Sequence, residues 1–263
     1  MKSNTLFVLL FIAFFWSCKN SAEKTTEEPV DSNQEMAIEQ AAPQIDIHPI
    51  SHATMVLEWD EIVMYVDPVG GAEAFSGMKD ADIILITDIH GDHLNIETLL
   101  AIKKNKSRII APRAVIDQLP EELKTDVIAL SNGSSVNQQA FTITGIPMYN
   151  LREEALKYHE KGRGNGYLIQ RDDYRVYISG DTEDIPEMRS LKNIDLAFVC
   201  MNLPYTMTVE SAASAVAEFK PNTVIPYHFR GADGFADVDA FERLVNENAP
   251  EVEVKRLDFY PNK

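Results

Sequence analysis

Four ionisable side chains lie within six residues, directly after an apolar segment of the chain. Residues 83–87 have the sequence Ile-Ile-Leu-Ile-Thr, which is typical of a buried strand, and they are followed by Asp88, His90, Asp92 and His93. Imidazole and carboxylate groups are common ligands of metal ions, and they also act as general bases. The cluster predicts a metal centre if further ligands converge on it, and a solvated acidic loop if none do.

Two further apolar strands end in residues of the same kind. Residues 175–180 lead into Asp181, and residues 223–227 lead into His228. His159 adds a candidate ligand from a glycine-rich loop. In open α/β sheets, ligands bind outside the carboxyl ends of strands, where the loops converge. The sequence therefore predicts that separate segments of the chain assemble one metal centre.

The elements that position these residues are short strands and two helices. Hairpins are predicted for residues 55–59 with 62–66 and for residues 166–170 with 175–179, and further strands for residues 81–87, 108–111 and 127–130. Thr208 is expected to cap a helix that ends before Pro221, and Asp237 to start a second helix. Strands that alternate with helices predict an α/β fold of sheets flanked by helices.

The beginning of the chain is predicted to be a targeting segment and a tether. Residues 1–18 read as a signal peptide, because the apolar run at residues 6–15 is short and ends just before Cys18. A small residue before this cysteine resembles a bacterial lipoprotein site, and an ordinary secretory signal is the alternative. Residues 19–44 are polar and predict a disordered tether. We expect residues 45–263 to form an exported domain, lipid-anchored to the periplasmic or cell-surface face of a bacterial membrane.

The charge balance of the chain limits its partners. The 263 residues include 41 Asp and Glu against 24 Lys and Arg, which gives a formal net charge of -17. Nucleic acids and anionic membrane surfaces are therefore not expected as partners, because binding to phosphate groups needs clustered Lys and Arg. We expect a small-molecule substrate, with contact to a membrane only through Cys18. Cys200 lies in an apolar strand and is predicted to be buried and inert.

The order of the candidate ligands resembles that of the metallo-β-lactamase-fold hydrolases. The usual family pattern is His-x-His-x-Asp-His, a later His, an Asp after a Gly, and a last His. The matching residues here are Asp88, His90, Asp92, His93, His159, Asp181 and His228. Flanking stretches, among them Ser-His-Ala-Thr at residues 51–54 and Asp67-Pro68, are similar to one branch, bacterial ascorbate-phosphate lactonase and N-acyl-phosphatidylethanolamine phospholipase D. The resemblance covers residues 45–260 and implies a four-layer αββα sandwich.

The resemblance also implies two divalent metal ions, of Zn, Mn or Fe, and a role for each ligand. Asp88, His90 and His159 would bind the first ion, Asp92, His93 and His228 the second, and Asp181 both. The implied reaction is hydrolysis of a phosphoester, lactone or related ester by a metal-bound hydroxide. Asp92 would be the catalytic residue that orients this hydroxide.

Asp88 is the one departure from the family pattern, since a histidine is usual there. A carboxylate makes the first site harder and more anionic, which favours Mn or Fe over Zn or leaves a single ion bound. Asp88 also favours a second hypothesis, a degenerate relative that binds metal or a small ligand without turnover. The retained Asp92 favours the enzyme, because a mere binding protein does not need it.

Five residues are candidates for supporting roles around the ligands. Arg230 and Arg163 offer cations to a substrate phosphate or carboxylate, or else lie on the surface. Tyr205 either lines the pocket or only precedes the helix cap, and Asn150, in a flanking stretch that matches the family, is a candidate for substrate binding. His52 is expected to support the ligands rather than to bind a metal itself.

Overall fold

The computed structural model describes residues 43–261 of the chain. The predicted signal peptide, Cys18 and nearly all of the predicted tether lie outside these residues, so export and lipid anchoring stay predictions. Within residues 43–261, no helix combines the length and apolar character that crossing a bilayer requires. Cys200 is buried, as its apolar surroundings predicted.

The first sheet contains six strands in chain order. They are β1 (Ile45–Ser51), β2 (Thr54–Trp59), β3 (Ile62–Val66), β4 (Ile83–Leu85), β5 (Arg108–Ala111) and β6 (Val127–Ala129). Strands β1 to β3 pair antiparallel, whereas β3 to β6 pair parallel. Strand β4 therefore ends, together with its parallel neighbours, at one edge of the sheet.

The second sheet contains seven strands, and a small hairpin accompanies it. The strands are β7 (Ser135–Gln138), β8 (Phe141–Met148), β9 (Gly164–Arg171), β10 (Tyr174–Ile178), β11 (Leu196–Cys200), β12 (Thr223–Tyr227), the hairpin strands β13 (Arg230–Gly231) and β14 (Gly234–Phe235), and β15 (Glu253–Val254). The order across the sheet is β15-β12-β11-β10-β9-β8-β7, with parallel pairing from β15 to β10 and antiparallel pairing from β10 to β7.

Six α-helices connect these strands. They are α1 (Ile96–Ile102), α2 (Arg113–Ile116), α3 (Glu121–Lys124), α4 (Pro186–Arg189), α5 (Val209–Phe219) and α6 (Val238–Asn248), with short 3-10 turns at Ala72–Phe75 and Glu153–Ala155. The two predicted helix starts are confirmed. The Thr208 side chain accepts a hydrogen bond from Ser211 N, and the Asp237 side chain accepts one from Ala240 N.

Alternate residues of β2 divide between two apolar cores. Met55 and Leu57 join the larger core, which contains buried residues of the second sheet and of α5 and α6, such as Phe241. Val56, on the opposite face, joins the smaller core with Leu99 of α1 and residues of α2 and α3. The layers are therefore helices, first sheet, second sheet and helices, which confirms the predicted αββα sandwich.

Cross-links between the sheets hold one edge of the sandwich together. The hydroxyl group of Tyr167 on β9 donates to the carbonyl oxygen of Ile86 after β4, at 2.6 Å, and Asn165 N donates to the carbonyl oxygen of Thr87 at 3.0 Å. Gly180 has a φ of 61°, and a Cβ there would lie 3.1 Å from the carbonyl oxygen of Asn165 and 3.3 Å from Thr87 Cβ across the two sheets, so glycine suits this position best. The predicted ligands lie at this edge.

Candidate metal centre

The first ligand group consists of Asp88, His90 and His159. His90 Nδ1 lies 2.6 Å from Asp88 Oδ2, and His159 Nε2 lies 3.9 Å from the same oxygen. Asp88 and His159 are buried, while the His90 side chain is 39% exposed. The structure thus brings together three residues that are up to 71 positions apart in the chain, as the sequence predicted.

The second ligand group consists of Asp92, His93 and His228. His228 Nε2 lies 3.3 Å from Asp92 Oδ2 and 3.3 Å from His93 Nε2. His93 and His228 are buried, whereas the Asp92 side chain is 45% exposed. Asp92 is therefore the ligand of this group that a molecule arriving from solvent would meet.

Asp181 lies between the two groups. Its Oδ2 is 3.3 Å from His159 Nε2 of the first ligand group and 3.4 Å from His93 Nε2 of the second, and its Oδ1 is 3.4 Å from His228 Nε2. A single carboxylate therefore contacts histidines of both groups. This position fits the bridging role that the family pattern implied.

A buried carboxylate orients His93 from behind. Asp67 Oδ2 lies 2.8 Å from His93 Nδ1, so the other ring nitrogen, Nε2, faces Asp181. Thr87 donates to Asp67 twice, from its backbone N–H at 2.7 Å and from its hydroxyl group at 2.6 Å. Carboxylate–histidine pairs of this kind set the tautomer of a metal ligand. The sequence indicated Asp67 only as part of a flanking stretch.

The electrostatic surroundings favour ionised carboxylates. Burial alone would raise the pKa of Asp181, but His228 and His93 outweigh it and hold that pKa well below its usual range. Burial is likewise outweighed at Asp88, where the hydrogen bond with His90 and the nearby charges of His93 and Arg163 lower the pKa to about 2. The site therefore presents negative charge that a cation can neutralise.

Arg163 pairs with Asp88 and is not among the residues that line the cavity above the ligands. Its Nε lies 3.2 Å from Asp88 Oδ1 and its Nη2 lies 3.1 Å from Asp88 Oδ2, in a two-pronged arrangement. Arg163 also donates to the carbonyl oxygen of Tyr158. The guanidinium group is therefore committed to Asp88, which differs from the substrate contact that the sequence suggested. It balances the negative charge that Asp88 adds in place of the usual histidine.

Asn150 is also a buried internal contact and does not line the cavity. Its Nδ2 donates to the carbonyl oxygens of Ala155, at 2.8 Å, and Tyr205, at 2.7 Å. The Tyr205 carbonyl oxygen is also 3.2 Å from His159 Nδ1. Asn150 therefore holds the loop whose carbonyl group orients His159, rather than contacting a substrate as predicted.

An ion pair between Arg152 and Glu183, which the sequence did not indicate, holds the loop that contains Tyr205. Glu183 is buried and accepts hydrogen bonds from Leu151 N at 2.9 Å and from Arg152 N at 2.9 Å and Nε at 2.7 Å. Arg152 Nη2 in turn donates to the carbonyl oxygens of Pro204 and Thr206, at 3.0 and 2.7 Å. Three loops are joined here, and the only sequence signal was that Glu183 lies two residues after Asp181.

A cavity of about 400 Å³ opens above the ligands. Besides five of the predicted ligands, its lining includes His52, Tyr158, Asn202, Tyr205 and Arg230. Tyr205 and Arg230 therefore lie where the sequence predicted. Asn202 was not predicted, and its Nδ2 lies 3.5 Å from Asp181 Oδ2 and 3.4 Å from His228 Nε2. Asn202 lies two residues after the end of the apolar strand β11, and this position in the sequence could have indicated it as a site residue.

Comparison with known proteins agrees with this geometry. A sequence profile described as the Beta-lactamase superfamily domain matches residues 46–228. The chain belongs to the metallo-β-lactamase superfamily. A UPF0173 metal-dependent hydrolase from Pyrococcus horikoshii is 30% identical to this member over 217 residues, which are 78% of this chain and 94% of the relative.

Solved structures show the same metallo-β-lactamase fold. A protein from Parabacteroides distasonis, described as a metal-dependent hydrolase, has a TM-score of 0.71 at 35% identity, and the match covers 81% of this chain and 93% of that chain. Igni18, a metallo hydrolase from Ignicoccus hospitalis, has a TM-score of 0.67 at 21% identity, covering 81% and 94%. The protein is a metal-dependent hydrolase of this superfamily, and the narrower branch indicated by the flanking stretches stays a prediction.

The donor atoms fit the divalent metal ions that the superfamily implies. Three sets of three described residues place one ligand atom each within 4.8 Å of one another: Asp88, His90 and His159; His93, Asp181 and His228; and His52, Asp92 and His228. His159 Nε2 and Asp181 Oδ1 are buried and form no hydrogen bond with any residue that the structure describes. Buried polar atoms are normally hydrogen-bonded, so these two are suited to contact an ion. Mixed imidazole and carboxylate donors suit Zn, Mn and Fe.

Proposed function

We propose that the protein hydrolyses a small phosphoester and that the cavity binds the anionic group of this substrate. Arg230 is the observation that carries the proposal. It lies on the cavity lining, and within the described part of the chain it has no carboxylate partner, whereas Arg163 and Arg152 each pair with one. Its guanidinium carbon lies over the Phe235 ring, 5.7 Å from the ring centroid, and no carboxylate of the described residues neutralises its charge. A guanidinium group placed in this way beside a ligand set matches the two-pronged geometry of a phosphoryl group.

The two ligand groups and Asp181 support a site for two divalent ions. When bound, such ions lower the pKa of a coordinated water and neutralise charge that develops on the substrate oxygen. Asp92 is the exposed ligand, and its carboxylate would accept a hydrogen bond from the attacking water and orient it. Arg230 would donate hydrogen bonds to the non-bridging oxygens of the phosphoryl group. A cavity of about 400 Å³ suits a small molecule rather than a polymer.

The test is a substrate panel with the full chain loaded with Zn, Mn or Fe(II). We expect turnover of chromogenic phosphoesters above that of neutral lactones and carboxylic esters. Arg230→Ala should raise KM for the phosphoester on the order of tenfold or more, because a hydrogen bond to a charged group contributes about 1.5–3 kcal/mol. Asp92→Asn should lower kcat by a larger factor than the accompanying fall in bound metal per chain.

Arg243→Ala is the matched control for Arg230. Arg243 lies on α6, and its side chain is 62% exposed and 3.9 Å from Glu247. This variant should behave as the unmodified protein. Preference for a neutral lactone, with no effect of Arg230→Ala, would contradict the phosphoester proposal. Stable metal binding without turnover of any substrate would favour the non-catalytic relative that Asp88 suggested.

We also propose that the protein works outside the cytoplasm, on a lipid anchor at Cys18. The support is the short apolar run at residues 6–15 that ends just before this cysteine. Cys18→Ala should leave unprocessed or soluble protein in place of a membrane-bound form. Fractionation and intact-mass measurement test this, and an unchanged membrane fraction with an unchanged mature mass would exclude the anchor.

A further inference from the structure

His52 lies at the tip of the β1–β2 hairpin in a left-handed backbone conformation. Ser51 pairs with Thr54, so His52 and Ala53 form the two-residue turn. The φ of His52 is 49°, in the left-handed region that glycine and asparagine occupy at the least cost. Asparagine, aspartate and histidine adopt this conformation more readily than other non-glycine residues, so the turn accommodates His52.

Contacts with the second ligand group hold the His52 ring on the cavity lining. His228 N donates to the carbonyl oxygen of His52 at 3.2 Å, which ties the hairpin tip to the end of β12. The ring packs edge-on against His228, with centroids 5.4 Å apart, and against Tyr260, with centroids 5.1 Å apart. The ring lines the same cavity as Arg230. Its orientation is therefore determined by packing on two sides.

The His52 ring lies close to Asp92, and one of its nitrogens has no hydrogen-bond partner within the described residues. A ring nitrogen of His52, an Asp92 oxygen and a His228 nitrogen all lie within 4.8 Å of one another. His52 Nδ1 is buried and has no hydrogen-bond partner within the described residues. An unpaired polar atom costs free energy, which is regained when a ligand supplies the missing partner.

We propose that His52 is a catalytic residue that donates a hydrogen bond to an anionic oxygen of the substrate, beside Asp92 and His228 and together with Arg230. An imidazole carries at least one N–H in either protonation state, so this role does not depend on its charge. A donor held in place before the reaction stabilises charge that develops on a phosphoryl oxygen. The inference rests on the proposed phosphoester function and adds to it a second anion-binding residue from a different sheet.

Inorganic phosphate is the probe that separates this inference from the proposed function. The full chain is loaded with the metal ion, its metal content per chain is measured, and phosphate affinity is measured by calorimetry. His52→Phe keeps an aromatic ring against His228 and Tyr260 but removes both nitrogens. We expect phosphate affinity to fall about tenfold or more with full metal content. The unfolding midpoint should fall only slightly, because phenylalanine tolerates the positive φ of this position less well than histidine. His48→Ala is the control, because His48 on β1 is partly buried against Glu58, 3.5 Å from its Oε1, and contacts no predicted ligand. It should change neither phosphate affinity nor metal content.

A second variant guards against misfolding of His52→Phe. Asparagine tolerates the left-handed conformation, and its shorter side chain should not reach the substrate, so His52→Asn should fold and also lose phosphate affinity. Loss of metal in either variant would overturn the inference, because His52 would then be a ligand. Unchanged phosphate affinity, or no phosphate binding by the unmodified protein, would also overturn it. If phosphate binds but no phosphoester is hydrolysed, only the proposed function fails.

Discussion

The two ligand groups are built in different ways. In the second ligand group, His93 is oriented by Asp67, a buried carboxylate that takes two hydrogen bonds from Thr87. In the first ligand group, His159 is oriented by a backbone carbonyl group, that of Tyr205, and Asp88 is shared with Arg163. The second group therefore depends on a compact side-chain network next to its strand, while the first depends on where distant loops are held.

This difference bears on the metal sites. A carboxylate behind a histidine raises its basicity as a ligand, whereas a carbonyl oxygen mainly orients it. Both carboxylate oxygens of Asp88 also accept hydrogen bonds from Arg163, whose positive charge weakens the attraction of Asp88 for a metal ion. We therefore expect the second ligand group to hold its ion more tightly than the first, and we expect perturbations of each group to act mainly on its own site.

The largest expected effect on the second site comes from Asp67→Asn. The amide cannot accept a hydrogen bond from His93 as strongly as the carboxylate does, so affinity at the second site should fall about 10–100-fold. Metal titration followed by measurement of content per chain checks this. Asp60→Asn, at the exposed β2–β3 turn where Asp60 pairs with Arg171, is the control. If Asp67→Asn weakened metal binding at both sites equally, or at neither site, the proposed independence of the two ligand groups would be contradicted.

Replacement of Asp88 should act mainly on the first site. Asp88→His restores the usual family pattern and should shift preference toward Zn, because imidazole is a softer ligand than carboxylate. The single variant leaves Arg163 without its carboxylate, so we expect Asp88→His with Arg163→Met to bind metal better than Asp88→His alone. Competition between Zn and Mn, measured as bound metal, checks both expectations.

Asp88→Ala makes this comparison sharper. It should empty the first site and leave the second partly occupied through Asp92, His93 and His228. If Asp88→Ala retained full metal content and full activity, Asp88 would have no role as a ligand, and its contact with Arg163 would be purely structural.

The smallest expected effect on metal comes from Glu183→Gln. This change weakens the ion pair with Arg152 and so loosens the loop that orients His159, with a loss of about 1–3 kcal/mol in the free energy of unfolding. Affinity at the first site should fall a few-fold while the second site is unaffected. Glu154→Gln is a matched control, since Glu154 contacts the same arginine from an exposed position. A fall at the second site instead would refute the assignment of this loop to the first group.

The elements that were predicted from the sequence are those with strong local patterns. The hairpins around β2–β3 and β9–β10 and the starts of α5 and α6 were found, since apolar alternation and capping residues are local signals. Strands β7 and β8 and helix α1 were missed. Strand β8 contains Gly145 and Pro147, which are unfavourable in strands, but a Cβ at Gly145 would lie 2.7 Å from the carbonyl oxygen of Ser131. Close packing therefore overrides propensity there.

The sequence by itself determined the types of the ligands and the strands that carry them. Asp88, Asp181 and His228 each follow an apolar run, and carboxyl ends of strands in such sheets meet at a common edge. Only the tertiary structure decided which polar residues are partners. Asp88 and Arg163 are 75 positions apart, and His52 meets His228 across two sheets. Such pairings depend on how the sheets pack and where the loops fold back. Local residue patterns do not determine which residues that are far apart in the sequence come into contact.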